Sequence, residues 1–176
     1  KVNPKIFEEY KELIQCRLGT NLVINENKEL STTLLATADV VIILSPLAKS
    51  SLKNLTQTER TSLVTYVKKG GKLILFTDED NRMNIDAFGA NDVINPFGMH
   101  LGADLDKLHD VTAISIVGEV IKGKYELPYT GSRELIGGIP ISVRNSSGGF
   151  VHGAYATLDN GGKIVAFGET MVGLFM

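Results

Sequence analysis

With one cysteine, Cys16, the 176-residue chain cannot close an internal disulfide, which fits a cytosolic protein and many secreted bacterial ones alike. Charge of one sign is nowhere concentrated. The 18 Lys and Arg and 20 Asp and Glu give a formal net charge of −2, with no basic block that could neutralise a run of phosphates, so no nucleic-acid partner is expected. Long apolar runs are missing too: the longest, Val40-Val41-Ile42-Ile43-Leu44, falls far short of the roughly 20 residues a helix needs to cross a bilayer, and no membrane span is expected. No Gly-x-Ser-x-Gly elbow is present. Ser45 is followed by Pro46, which has no N–H to offer an oxyanion, so a serine hydrolase is not indicated. The three histidines, His100, His109 and His152, have no metal-ligand spacing on a helix and read as surface or structural residues.

What is there is ordinary for a folded domain. A hydrophobic fraction of 43% with 22% charged residues argues against a disordered or fibrous chain, and the length suits one core. Ile6, Tyr10, Leu13, Ile14 and Arg17 recur at three- and four-residue spacing, predicting an amphipathic helix over residues 4–18 that Gly19 ends. Residues 22–24 read as a short strand, and Ser31 caps a helical turn through Leu35. Asp39 leads into the β-branched run after it, the pattern of a strand buried on both faces in a parallel sheet. Thr56-Gln57-Thr58-Glu59 is a capping box, and Lys68-Lys69-Gly70-Gly71 supplies the cations and glycine that close the helix it opens. Leu73-Ile74-Leu75-Phe76-Thr77 then completes a strand–helix–strand unit with adjacent parallel strands.

Residues 78–108 read as a long irregular stretch with one helical turn near 91–95. Strands are expected at 111–117 and 139–143. Two more, at 150–158 and 163–168, flank Asp159-Asn160-Gly161-Gly162, a strong hairpin signal. Tyr125, Tyr129 and Arg133 fall in a stretch punctuated by glycine and proline, 123–138, read as a surface loop whose tyrosines cover the core edge, with rings presented to a sugar as the less favoured alternative. The expected fold is therefore α/β: a doubly wound, mostly parallel sheet in a flavodoxin-like three-layer sandwich, with a C-terminal antiparallel hairpin.

Three segments carry a resemblance: Asp39-Val-Val-Ile-Ile-Leu-Ser-Pro, Leu55-Thr-Gln-Thr-Glu, and Tyr66-Val-Lys-Lys-Gly-Gly-Lys-Leu-Ile-Leu-Phe. With Phe97-Gly98-Met99 and Asn160-Gly-Gly-Lys-Ile-Val-Ala-Phe-Gly-Glu, they resemble the class I glutamine amidotransferase-like superfamily in its non-glutaminase branches. Those branches include trehalose-utilisation-like proteins and domains of gliding-motility, intraflagellar-transport and bacterial carbohydrate-processing proteins. The resemblance covers about residues 35–108 and 150–170 and is structural, so it implies a fold more than a chemistry. Members usually open on a central strand before the first helix, whereas this chain starts at the helix. A glutaminase of this kind needs a cysteine on a strand-to-helix elbow, but Cys16 falls on the first predicted helix and reads as non-catalytic.

The candidate site is an acidic cluster at the carboxyl end of the second buried strand. Asp78, Glu79, Asp80, Asn81 and Arg82 follow that strand, and ligands of open α/β sheets bind outside this edge. Ser45 and Glu169 end neighbouring strands, and His100 and Asp104 are expected to reach the site from the long loop. Carboxylates there suit a hard cation such as calcium, or sugar hydroxyls, but with no calcium-loop spacing the favoured reading is a solvated acidic turn whose Asp and Asn residues bond their own backbone; whether a metal binds is left open. No cofactor is expected. The leading expectation is a non-catalytic accessory or interaction domain, spanning residues 1–176, of a larger envelope or extracellular protein that handles carbohydrate and partners its own neighbouring domains. The start at Lys1 and the apolar end, residues 171–176, motivate the view of a piece of something longer. The alternative is a hydrolase or isomerase of a sugar derivative working through Asp78, Glu79 and His100, which requires carboxyls in buried surroundings.

Overall fold

The computed structural model describes residues 11, 12, 15–17, 19–23, 25, 28–44, 53–80, 82–104, 111–129, 132–144 and 150–169. Residues 11, 12 and 15–17 are helical; the rest of the expected first helix, Ser45 and residues 171–176 lie outside the described residues. Leu22 and Val23 are not in a strand, and Val23 is 84% exposed, so the strand expected there is corrected as far as it is described. Ile24 lies outside.

Ser31 accepts a hydrogen bond from Leu34 N and opens α1 (Thr32–Leu35), which leads into β1 (Val40–Ile43). Thr56 and Glu59 close the expected capping box at the start of α2 (Gln57–Lys68), and β2 (Lys72–Phe76) follows. β1 and β2 pair in parallel, as the strand–helix–strand pattern requires.

The stretch after β2 carries far more structure than its polar, glycine-rich sequence predicts. Asn84 caps α3 (Ile85–Phe88), Gly89 at φ 81° lets the chain turn directly into α4 (Ala90–Ile94), and a 3-10 turn at Asn95–Phe97 leads to β3 (Met99–Asp104). Each glycine reads as a breaker in sequence. Here Gly89 and Gly98 instead supply the left-handed residues that join short elements packed on the core. Beyond β4 (Val111–Ser115), the stretch expected as a loop contains β5 (Glu126–Tyr129) and β6 (Arg133–Gly137). β7 (Ile139–Arg144), β8 (Val151–Thr157) and β9 (Lys163–Phe167) lie where the sequence placed them.

The class is α/β, as expected. The main sheet runs β1-β2-β9-β8-β7-β4-β5, with a separate antiparallel pair β3-β6. Its parallel part is β1-β2-β9. The antiparallel part includes the expected β8–β9 hairpin and continues through β7, β4 and β5, further than the hairpin alone. Strand alternation sorts two cores. Leu73, Leu75, Ile164, Ala166 and Ala154 join α1 to α4 on one face, while Phe76, Val165, Phe167, Tyr155 and Ile141 form a second cluster, with Val120 and Ile121 packed against it. Phe76 and Phe167, paired in register, stack at 4.9 Å between ring centroids.

Candidate functional site

Because β2 and β9 are parallel and end in register at Phe76 and Phe167, Thr77-Asp78 and Gly168-Glu169 leave the sheet side by side at its carboxyl edge. Thr77 closes this edge: its N–H and its hydroxyl both donate to the Phe167 carbonyl, at 3.0 and 2.8 Å. Thr77, Asp78 and Glu169 are all buried. The opening residues of β6 lie against this edge. Arg133 N–H donates to the Gly168 carbonyl at 3.0 Å, and Gly168 N–H donates to the His152 carbonyl at 2.8 Å. A Cβ at position 168 would overlap the Arg133 carbonyl, so the close approach of the two segments requires glycine.

The Arg133 side chain is buried against this edge. It is 2% exposed, and its Nε donates to the Asp78 carbonyl at 2.9 Å, its Nη1 to the Gly102 carbonyl at 3.2 Å and its Nη2 to Asp80 Oδ1. Burial pulls its pKa down and the charge of Asp78 opposes that, yet a guanidinium starts so high that it stays a cation. The acids are arranged around it and around Arg82. Asp78 Oδ1 accepts from Glu79 N–H at 2.9 Å, and Arg82 lies 3.5 Å from Asp78 Oδ2 and 3.6 Å from Glu79 Oε1. Asp80 N–H donates to Asp104 Oδ2 at 2.9 Å, and Asp104 is the register partner of Arg133.

Next to this cluster His152, 1% exposed, holds its Nδ1 2.7 Å from the fully buried Ser132 hydroxyl. That hydroxyl also reaches the Arg133 carbonyl at 3.1 Å, an arrangement in which Ser132 donates to the carbonyl and accepts from Nδ1–H. Burial, and secondly the positive charge of Arg144, push the His152 pKa down to about 4, so its ring is neutral near pH 7.

Of the residues singled out in the sequence, Asp78, Glu79, Asp80, Arg82, Asp104 and Glu169 therefore gather at the carboxyl edges of β2, β9 and β3. Ser45 lies outside the described residues. His100 stands apart: it is exposed at the opposite end of β3 from Asp104, with Nδ1 3.1 Å from Asn95 Oδ1. Met99 and Leu101 turn into the core, so strand alternation turns His100 outward. Arg133, read as part of a surface loop, is instead at the centre of the cluster, and Tyr125 is 58% exposed. The signal for Arg133 was the acids themselves, since carboxylates gathered at a buried sheet edge need a cation among them.

Among the described residues no group of three or more His, Cys, Asp or Glu has a geometry that could hold a metal ion, and no helix is long and apolar enough to cross a membrane. A cavity of about 390 Å³ lies at the other end of the parallel strands, walled by Thr32, Asp39, Tyr66, Lys69 and Lys72. The Tyr66 hydroxyl there is held by the Ala38 carbonyl at 3.0 Å.

No family model matches the sequence, and no curated protein does. Solved structures do match. The mmIFT52 N-terminal domain superposes with a TM-score of 0.65 at 14% identity, over 91% of this chain and 78% of that one. The cytoplasmic protein STM3548 from Salmonella typhimurium gives 0.58 at 16% identity, over 81% of this chain and 65% of that one. The exo-β-1,4-mannosidase Op5Man5 from Opitutaceae bacterium strain TAV5 gives 0.50 at 14%, over 80% of this chain and 22% of the enzyme. At these identities the likeness shows a shared fold.

Proposed function

We propose that this chain is a non-catalytic accessory or interaction domain of a larger envelope or extracellular protein that handles carbohydrate, built on the glutamine amidotransferase-like fold without its glutaminase chemistry. The observation that carries this reading is Arg133. In open α/β sheets the crevice outside the carboxyl ends of the strands is where substrate sits, and here the chain's own guanidinium is buried against that edge, hydrogen-bonded to two backbone carbonyls and Asp80. An edge engaged from within favours surface contacts with partners over turnover of a bound small molecule. Matches to an N-terminal domain and to 22% of a mannosidase support the reading of a unit built into longer chains.

A second reading, a hydrolase or isomerase of a sugar derivative, draws on the burial of Asp78. Against it, the Asp78 carboxylate is engaged by Arg82 and by the Glu79 N–H as part of the structure of the edge. Turnover of a panel of chromogenic glycosides, together with cross-linking of the native parent protein, separates the two. Cross-links from this domain's lysines to neighbouring domains, with no turnover, are the expected result; glycoside turnover abolished by Asp78→Asn would overturn it in favour of the enzyme.

A further inference from the structure

At the amino end of the parallel strands, opposite the Arg133 edge, α1, the start of β1 and the last turn of α2 enclose the cavity of about 390 Å³. Buried Tyr66 lines it, its hydroxyl tied to the Ala38 carbonyl at 3.0 Å, and a Cβ on Gly71 would overlap the ring, so glycine gives the ring its place. Thr32 and Thr65 bring hydroxyls to the walls, Asp39 a carboxylate, and Lys69 and Lys72 two cations. We propose that this cavity binds an anionic hexose, a sugar ring carrying a carboxylate or a phosphate, with the charged group held by Lys69 and Lys72 and the ring hydroxyls by Asp39, Thr32 and Thr65. The proposal rests on the reading of a domain from a protein that handles carbohydrate, and gives that domain its ligand.

Cations in the last turn of a helix commonly bond its terminal carbonyls, but α2 closes without its lysine side chains. The Thr65 carbonyl accepts from Lys69 N–H, Tyr66 from Gly71 N–H and Val67 from Gly70 N–H, each at 3.0 Å, and Asn160 Nδ2 donates to the Lys68 carbonyl at 2.7 Å. The cap therefore has no use for the Lys69 ammonium. Lys72 pairs in register with Lys163, a like charge; Glu119 engages Lys163 and leaves Lys72 uncompensated. Among the described residues, neither Lys69, Lys72 nor Asp39 makes a side-chain hydrogen bond or an ion pair. Burial raises the Tyr66 pKa and the charge of Asp39 adds to it, which sets this carboxylate close to the ring. Charges of both signs thus line one cavity without neutralising each other. A neutral sugar would leave the two cations without an anion, and a bare anion would meet Asp39 as a like charge with nothing to offset it. A ring with hydroxyls for the carboxylate and one charged group for the flexible lysines satisfies both, and the volume lies within the range of small-molecule sites.

Titration of the full chain with glucuronate, followed through amide chemical shifts by NMR, tests this, with glucose 6-phosphate, glucose and inorganic phosphate as parallel arms. The reporters are the amides of Asp39, Lys69, Gly70 and Gly71; those of Thr77 and Gly168, at the other end of the strands, are the controls. At least one charged sugar is expected to move the reporters to saturation, leave the controls in place, and bind about tenfold more tightly than glucose or inorganic phosphate. The tighter of the two charged sugars identifies the anion as carboxylate or phosphate. Lys69→Gln and Lys72→Gln, at exposed side chains, should keep the folded spectrum, and at least one should raise the Kd for the charged sugar by roughly tenfold without changing that for glucose. Asp39→Ala should narrow the preference for the charged sugar over inorganic phosphate. No saturable shift with either charged sugar, shifts centred on Thr77 and Gly168, equal affinity for glucose or for inorganic phosphate, or an affinity unchanged in both lysine variants would each overturn the site. Those results leave the accessory-domain reading to its cross-links, whereas glycoside turnover abolished by Asp78→Asn would overturn that reading and leave the cavity's affinity standing.

Discussion

Arg133 shows how one residue sets the character of the site. A buried guanidinium that donates to two carbonyls and a carboxylate is costly to remove, because the carbonyls of Asp78 and Gly102 lose their donor and buried Asp78 loses one of the cations beside it. Arg133→Met, of similar length, should therefore destabilise the fold by about 3–5 kcal/mol in urea unfolding. Arg133→Lys restores only part of this, since an ammonium keeps the charge but cannot address Asp78, Gly102 and Asp80 with a planar fork. Equal stability of the methionine variant and wild type would mean that the cluster is held by the surrounding backbone alone. At this scale the sequence was legible for the acids and not for the cation: Asp78, Glu79 and Asp80 follow a recognisable strand, whereas Arg133 lies more than fifty residues away in a stretch that reads as loop.

At the scale of elements, local chemistry is strongest at the start of α2. Glu59 is almost fully buried; its Oε2 accepts from Thr56 N–H at 2.8 Å and its Oε1 from Leu30 N–H at 3.2 Å. Burial alone would raise its pKa, but these backbone bonds and nearby Lys53 outweigh it, and the net direction is down. A lowered folded-state pKa means the ionised form stabilises the fold above the ordinary 4.5 and that this contribution disappears as pH falls through the lowered value. Thr56→Ala should cost about 1 kcal/mol at pH 7. Glu59→Gln should also be less stable than wild type at pH 7, with the gap closing as the pH falls below 4.5 through the lowered value; a gap independent of pH would show that the charge has no role in the cap. The capping box was readable because its four residues are contiguous. β5 and β6 were not, because their pairing partners, β4 and β3, are distant in sequence and their glycines and Pro128 obscure the alternation.

For the whole molecule, the two edges of the main sheet differ. β5 carries Glu126 and Pro128, a charge and a residue without an N–H, which block further strand pairing. Among the described residues β1 is at the other edge, Val-Val-Ile-Ile, with Val40 and Ile42 45% and 36% exposed, so it is not the strand buried on both faces that its apolar run suggests. Ile42→Lys should leave unfolding stability within about 0.5 kcal/mol of wild type and raise the concentration at which light scattering detects association. Unchanged association would mean that β1 is not the adhesive edge.

What the sequence by itself determined is what local periodicity and short-range chemistry encode: the α/β class, the β1-α2-β2 unit with its cap and stop, the β8–β9 turn at Asn160-Gly161, and the placing of an acidic cluster just after a buried strand. Only the tertiary structure decided which strands lie beside which, that the antiparallel part of the sheet continues to β5, and that Arg133 is placed among the acids. The reason is physical. Caps, turns and alternation depend on neighbours within a few residues, whereas strand order and the neutralisation of a buried charge depend on segments brought together by burial of a shared core, and those partners leave no mark on one another's local sequence.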